Sequence, residues 1–400
     1  MSEGLYMTAV EAAEALGISV STLYAYVSRG LVRSEEGTGK TRARRYRRED
    51  VDALLARKDL RQNPAKAVES ALHFGTPLLE SAITLIADGR FYYRGHDVLA
   101  LAESRPFEEV AALIWTGDFD TAGLFPAQPP PVILPDAVQA LPLMARFQAL
   151  LPLAAVQDLA AYNLAETAVA QTGARILTLL TAVACKQPPA ASIAQSLQQA
   201  WAPTHPAAVD LFDLVLILCA DHELNVSSFT ARCVASALGT PYGAVQAGLA
   251  ALQGAKHGGF TERVAALLRE AEMQGVRETI ASYLRRGEGV PGFGHPLYAA
   301  GDPRARLLLE RVTAVAPDAP VVQLAQAFVD EMAASVGLPA TVDFALVVLA
   351  RALALPPGAA LTLFALGRTA GWLGHAIEQY RLGQIIRPRA RYVGERPVVK

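Results

Sequence analysis

Cysteine is scarce: Cys185, Cys219 and Cys233 are the only ones in 400 residues, and none forms a CxxC pair. That argues against a disulfide framework or a zinc cluster and fits a reducing cytoplasm. Net charge is nearly absent as well. Thirty-six basic against 38 acidic side chains leave −2, so no global attraction to nucleic acid or anionic membrane is expected, and any such attraction must be local. Long apolar runs are interrupted, one by Asp213 and Asp221, another by Arg351 and Pro356-Pro357, so no membrane span is expected. The N-terminus carries Glu3 and Glu11 where a secretion signal has basic and then apolar residues. No internal repeat is visible. What is present is a hydrophobic content of 52% against 18% charged residues, the balance of a globular chain with a large interior. Its length suits two or three domains.

The first sixty residues differ from the rest. Lys40, Arg42, Arg44, Arg45, Arg47 and Arg48 fall within nine positions. Thr8 can cap a short helix whose apolar side is Ala9, Ala12, Ala13 and Leu16, with Gly17 as its stop. Ser19 or Ser21 starts a second helix through Tyr24, Tyr26 and Val27, ended by Gly30. A glycine loop, 37–39, leads into "ARRYRRED", which alternates like a strand, and Asp50 can cap a last helix from Val51. Two short helices and a basic hairpin make a winged helix-turn-helix pattern. Residues 5–58 resemble the DNA-binding domain of the MerR and excisionase type. The resemblance implies that the helix of Ser21 to Ser28 enters a major groove while Arg42, Arg44, Arg45 and Arg47 neutralise phosphates. A solvated, arginine-rich hairpin is the other explanation of the same charge run.

Residues 59–75 read as a connector. Beyond Thr76, apolar residues recur at three- and four-residue spacing over 82–90, 96–104, 107–116, 137–152, 157–183, 207–220, 227–237, 241–252, 261–273, 276–286, 303–315, 320–335, 340–354 and 358–380. Prolines and glycines punctuate these segments, as in "CKQPPAAS" (185–192). Thr84–Ile86 and Phe91–Tyr93 also suit a small hairpin across Asp88-Gly89. The body is expected to be all-α.

Three of the seven histidines sit in unusual company: His222 in "ADHELNVSSFTARCVAS", His257 in "GAKHGGFTERVAALL" and His295 in "VPGFGHPLYAAGDPRA". Asp343 follows in "GLPATVDFALVV", Arg368 in "LFALGRTAGWLGHAIEQ" and Arg387 in "IIRPRARYVG". Singly, each has a structural explanation: a satisfied histidine, an N-cap aspartate, an interface arginine. In this order and with these neighbours, together with "LIADGRFYYRGHDVLALAE" and "FEEVAALIWTGDF" upstream, the set from Gly75 to Gly394 resembles the citrate synthase family.

That resemblance implies condensation of an acyl-CoA thioester with a 2-oxo acid, normally oxaloacetate, without metal or redox cofactor. A carboxylate can take a proton from a weakly acidic methyl group only if the enolate oxygen is stabilised as it forms. Asp343 would be the base. His257, kept neutral at a helix start, would donate to the thioester oxygen, with Gly258 and Gly259 letting the substrate approach the backbone. His295 would polarise the ketone, its flanking glycines wrapping the loop around a small dianion. Arg304, placed by an Asp302 N-cap and Pro303, would grip a carboxylate. His222 and Arg368 would contact the oxo acid too, and Arg387 would come from the partner subunit, implying a homodimer. The expected architecture is a winged helix-turn-helix domain (1–60), a linker (61–75), a large helical domain (76–257 and 348–400) and a small domain (258–347) that closes over the substrate.

The chain departs from the family in places. Pro296-Leu297-Tyr298 stands where members have Arg-Val-Tyr, and Ala299, Ala300 and Gly301 where a basic residue is common. Ser335, Val336 and Gly337 fill the stretch where a lysine often precedes the aspartate. Ala345-Leu346-Val347 replaces Tyr-Ser-Gly. Those basic residues normally meet CoA phosphates, so the oxo-acid half looks whole and the CoA half thinned. A citrate synthase with weak or altered acyl-CoA preference is the first reading, and propionyl-CoA, giving 2-methylcitrate, is its near neighbour. A regulator that senses oxaloacetate or citrate and alters DNA binding is the competing class. An appendage that binds an acidic partner or a nucleotide is a third. An intact His257, His295 and Asp343 argues against a pure sensor, which needs no proton-abstracting base.

Overall fold

The structure, a computed structural model, describes residues 6–29, 31–36, 44–48, 50–51, 54–55, 79–126, 132, 135–298, 300–390 and 392–395. The chain divides into two compact units, Met1–Glu80 and Ser81–Lys400.

In the first unit, β1 (Tyr6–Met7) leads into α1 (Ala9–Leu16) and α2 (Val20–Ser28), followed by β2 (Ser34–Glu36) and β3 (Arg44–Arg47). β3 is the middle strand, antiparallel to both neighbours, with Tyr46 opposite Met7 on one side and Ser34 on the other. Thr8 caps α1 reciprocally: its hydroxyl accepts from the Glu11 N–H, and the Glu11 carboxylate accepts from the Thr8 N–H. Gly17 ends the helix in the left-handed region, and Ser19 caps α2. Ala12, Ala13, Leu16, Leu23, Val32, Tyr46 and Val51 form this unit's core. Asp50, expected to cap a last helix, accepts instead from the Arg33 backbone N–H at 2.7 Å and from its guanidinium at 2.8 and 3.0 Å. Gly30, the glycine loop at 37–39, Arg42 and the connector at 61–75 lie outside the described residues.

The second unit opens with a hairpin of β4 (Thr84–Ala87) and β5 (Arg90–Tyr93), to which β6 (His96–Asp97) adds. The helical spacing over 82–90 is therefore overruled by its turn. Asp88 and Gly89 both take positive φ (52° and 73°), as a two-residue hairpin turn requires. Helices follow: α3 (Val98–Ser104), α4 (Phe107–Thr116), α5 (Asp136–Gln139), α6 (Leu143–Gln157), α7 (Glu166–Cys185), α8 (Ile193–Trp201), α9 (Ala208–Cys219), α10 (Val226–Ser236), α11 (Pro241–Leu252), α12 (Phe260–Gln274), α13 (Val276–Arg285), α14 (Pro303–Val315), α15 (Pro320–Ser335), α16 (Val342–Ala352) and α17 (Ala359–Leu382). Helix α8 was not anticipated. It is short, and its start is marked by Ser192, whose hydroxyl accepts from the Gln195 N–H.

Helix α7 is long and apolar enough to cross a membrane by composition, but 72% of its apolar window is buried inside the protein, which makes it a core helix. Helix α17 is buried on all sides along most of its length. Its glycines let neighbours approach closely. Gly371 N–H donates to the Ala220 carbonyl at 3.0 Å, and a Cβ there would stand 2.3 Å from that oxygen. This contact holds the end of α9 against α17 and positions the loop that follows.

Candidate active site

The loop between α9 and α10 carries His222, and the hairpin at the start of the unit braces it. Tyr93 donates its hydroxyl proton among the Ile217 and Asp221 carbonyls (3.0 and 2.9 Å) and accepts from the Asp221 N–H. Thr84 donates to the Asp221 carboxylate at 2.6 Å, whose other oxygen lies 3.2 Å from His375 Nε2. Burial works against the Asp221 charge, but His375 and Arg368 more than offset it, and the carboxyl stays below its usual range.

His222 is buried, and its Nε2 lies 2.8 Å from the Tyr298 hydroxyl. Its ring meets the His295 ring edge to face at 5.6 Å. Burial, then the Arg304 and Arg368 charges, hold it well below the ordinary histidine value. Arg304, 3% exposed, is the second residue of α14. Asp302 caps that helix by accepting the Arg304 N–H, and it also takes the guanidinium in bidentate fashion through Nε and Nη2, both at 2.9 Å. The carboxylate that Arg304 grips is thus, in the first instance, its own neighbour's.

Asp302 has a further task. Its Oδ2 accepts the Val342 N–H at 3.1 Å, at the start of α16, where Asp343 is the second residue and Thr341 the N-cap. The His295 loop is pinned to the same place. Gly294 N–H donates to the Pro339 carbonyl and Thr341 N–H to the Gly292 carbonyl, both at 2.8 Å, around an antiparallel bridge of Phe293 with Ala340. Gly292 and Gly294 take φ of 85° and 81°, and a Cβ on Gly292 would meet Phe344 Cβ at 3.0 Å. These glycines serve pairing with the 339–341 segment. His295 Nδ1 accepts the Leu297 N–H at 3.2 Å, so the neutral ring carries its proton on Nε2. Burial and Arg304 lower its pKa.

Asp343 is half-buried. Burial pushes its carboxyl up to about 6 against the pull of Arg304, with Asp302 adding to the rise. Among the described residues, no hydrogen bond joins it to either His257 or His295. Arg368, 1% exposed on α17, donates Nε–H to the Cys219 carbonyl at 2.8 Å and stacks over Phe364 at 4.9 Å. Its Nη1 is buried with no hydrogen-bond partner among the described residues. Phe364 also faces the His257 ring at 5.8 Å, which links the two.

His257 precedes α12 by three residues. Burial first, then Arg368, drop its pKa to about 3, which gives the neutral ring expected at this position a cause in addition to the expected helix dipole. The neighbouring glycines also answer to packing. A Cβ on Gly258 would strike Leu252 at 2.7 Å, and one on Gly259 the Gln253 carbonyl at 2.4 Å. His257 Nε2 lies 2.8 Å from the Ser227 hydroxyl, which accepts from Trp372 Nε1–H at 3.1 Å and donates to Asn225 Oδ1 at 2.7 Å. Ser227, Tyr298, Asp302 and Phe364 were missed as site residues. Each lies inside a quoted motif, but only folding shows which ring it touches.

His222, His295, Arg304, Arg368 and His257 are therefore one electrostatic cluster, with Asp343 under the influence of both arginines. Arg387 is not part of it: it is exposed in the extended segment after α17. In the first unit, Arg44 is exposed, Arg45 lies over the Tyr6 ring at 5.5 Å and Arg47 pairs with Glu35 at 3.3 Å.

The fold and the comparisons with known proteins together define a helical enzyme. A family model described as "Citrate synthase, C-terminal domain" matches residues 72–389, and one described as "Helix-turn-helix domain" matches 6–59. Citrate synthase 2 of Bacillus subtilis is 28% identical over 366 residues, covering 80% of this chain and 94% of the relative. Putative citrate synthase 2 of Mycobacterium tuberculosis is 32% identical over 334 residues, covering 77% and 88%. The crystal structure of citrate synthase from Thermotoga maritima superposes with a TM-score of 0.68 at 25% identity, covering 82% of this chain and 96% of that one. A ternary complex of the Thermoplasma acidophilum enzyme with carboxymethyl coenzyme A and oxaloacetate superposes with a TM-score of 0.67 at 25% identity, covering 83% and 98%. The chain belongs to the citrate synthase family.

Proposed function

We propose that the chain condenses acetyl-CoA with oxaloacetate to give citrate and CoA. The observation that carries this is the buried Arg368, whose Nη1 has no hydrogen-bond partner among the described residues and whose charge acts on His222 beside that of Arg304. A buried, unsatisfied cationic donor is costly, and an anionic ligand removes the cost. In this reading Arg368, Arg304 and His222 hold the oxo acid by its carboxylates. Asp343 takes a methyl proton from the thioester. His257, held through Nε2 by the Ser227 hydroxyl, stabilises the enolate oxygen as it forms. The enolate carbon attacks the ketone while His295 donates from Nε2 to the developing alkoxide. Water then cleaves the citryl thioester, releasing CoA. The chemistry calls for no cofactor.

The segment 258–347 is proposed as the small domain whose closure over 76–257 and 348–400 excludes water. A second copy supplies Arg387, which is exposed in its own chain. The test is thiol release with oxaloacetate and a panel of acyl-CoAs, with the product identified by mass. Citrate from acetyl-CoA supports the reading, 2-methylcitrate from propionyl-CoA alone shifts the substrate, and no product from any thioester overturns it. Absent lysines and arginines at 299–301 and 335–337 predict a raised KM for the thioester.

A second reading concerns the first unit. Helix α2 buries only Leu23 and leaves Ser21, Tyr24 and Ser28 exposed, next in sequence to a wing with exposed Arg44. A polar helix face and a basic wing suit a DNA groove. Salt-dependent shift of duplex DNA by the full chain tests this.

A further inference from the structure

We infer that Tyr298 is a positioning residue for the oxo-acid half of the site, donating its phenol proton to His222 Nε2 so that Nδ1–H is left to bind the substrate carboxylate. The inference rests on the proposed citrate synthase reading.

Tyr298 is 1% exposed, and its hydroxyl lies 2.8 Å from His222 Nε2. Among the described residues this is the only partner recorded for that hydroxyl. A buried O–H must donate somewhere or pay its full desolvation cost. Burial also raises the phenol pKa to about 12, so the proton is present at neutral pH. Nε2 is then the acceptor, and the neutral imidazole carries its own proton on Nδ1. A carboxylate can only accept, so it needs that tautomer; the other would face it with a lone pair.

The same side chain also meets His295 and Arg304. Its ring lies 5.1 Å from the His295 ring, and the Arg304 guanidinium carbon lies 5.6 Å over it. Tyr298 N–H also donates to the His295 carbonyl at 3.1 Å, which keeps both residues in one turn. The hydroxyl therefore ties the His295 loop to the His222 loop, which belong to segments 76 residues apart.

Tyr298→Phe keeps the ring and removes only the proton. The expected result is a KM for oxaloacetate raised about tenfold, with the KM for acetyl-CoA and the melting temperature held near wild type. A His222→Gln variant should absorb the effect, so that adding Tyr298→Phe to it raises the oxaloacetate KM little further. Direct oxaloacetate binding by calorimetry separates the two claims. Wild type that binds oxaloacetate without turning over, and binds it more weakly as Tyr298→Phe, sinks the proposed reaction and keeps this role. Unchanged oxaloacetate binding in Tyr298→Phe overturns the role whatever the turnover. An equal rise in both KM values, or a penalty additive with His222→Gln, overturns it too, because a structural residue acts that way.

Discussion

At the scale of single residues, environment assigns the proposed roles. Asp343 is held up to about 6 mainly by burial, while His257 is pushed down to about 3. At neutral pH this gives an ionised carboxylate of raised basicity and a neutral imidazole, the separation that acid–base catalysis exploits. The sign of the pH dependence follows. A base whose pKa is raised must lose its proton before it can act, so kcat falls as pH drops through about 6. His257 stays neutral over that range, so the limb belongs to Asp343. A kcat profile flat down to pH 5 would contradict the assignment. Removing the donor with His257→Ala should lower kcat by roughly 10²–10³-fold, as for other single donors to a developing oxyanion. Oxaloacetate affinity should change little, which calorimetry checks.

At the scale of elements, the His295 loop and the start of α16 form one device. Gly292 and Gly294 pair with 339–341, and Asp302 caps α14 and accepts the first N–H of α16. Gly292→Ala places a Cβ at φ 85°, 3.0 Å from Phe344 Cβ. A left-handed alanine alone costs about 1–2 kcal/mol, and the loop must also shift. We expect a lower melting temperature together with a loss of kcat larger than the loss in the more distant Gly287→Ala, which meets nothing within 4 Å. The elements themselves were largely legible in the sequence: helices at 241–252, 303–315 and 320–335 fall where the apolar spacing put them, because one stripe of each faces the core. Segment 82–90 misled because four strand residues next to a turn also fit a helical spacing. Helix α8 was hidden behind the prolines that precede it. The candidate site was legible as a set of motifs. Its wiring was not: the Asp302–Arg304 pair, the Ser227 link to His257 and the packing reason for Gly258 and Gly259 arise from segments far apart in the chain.

At the scale of the whole molecule, a helix-turn-helix unit precedes a citrate synthase body. If the wing meets phosphates, Arg44→Glu should weaken DNA binding by the full chain at every sequence and reduce its salt slope by about one. Arg47→Glu should do less, because Glu35 already pairs with Arg47. DNA binding insensitive to salt, or unchanged in Arg44→Glu, would remove the wing from that role. The body is the stronger claim, and it turns on one carboxylate. The most direct measurement is CoA release from acetyl-CoA and oxaloacetate by wild type and by Asp343→Asn, with oxaloacetate binding measured on both. The account predicts turnover by wild type, a loss of roughly 10²–10⁴-fold in the variant, and oxaloacetate binding preserved in each. Equal rates of CoA release by the two proteins would contradict it.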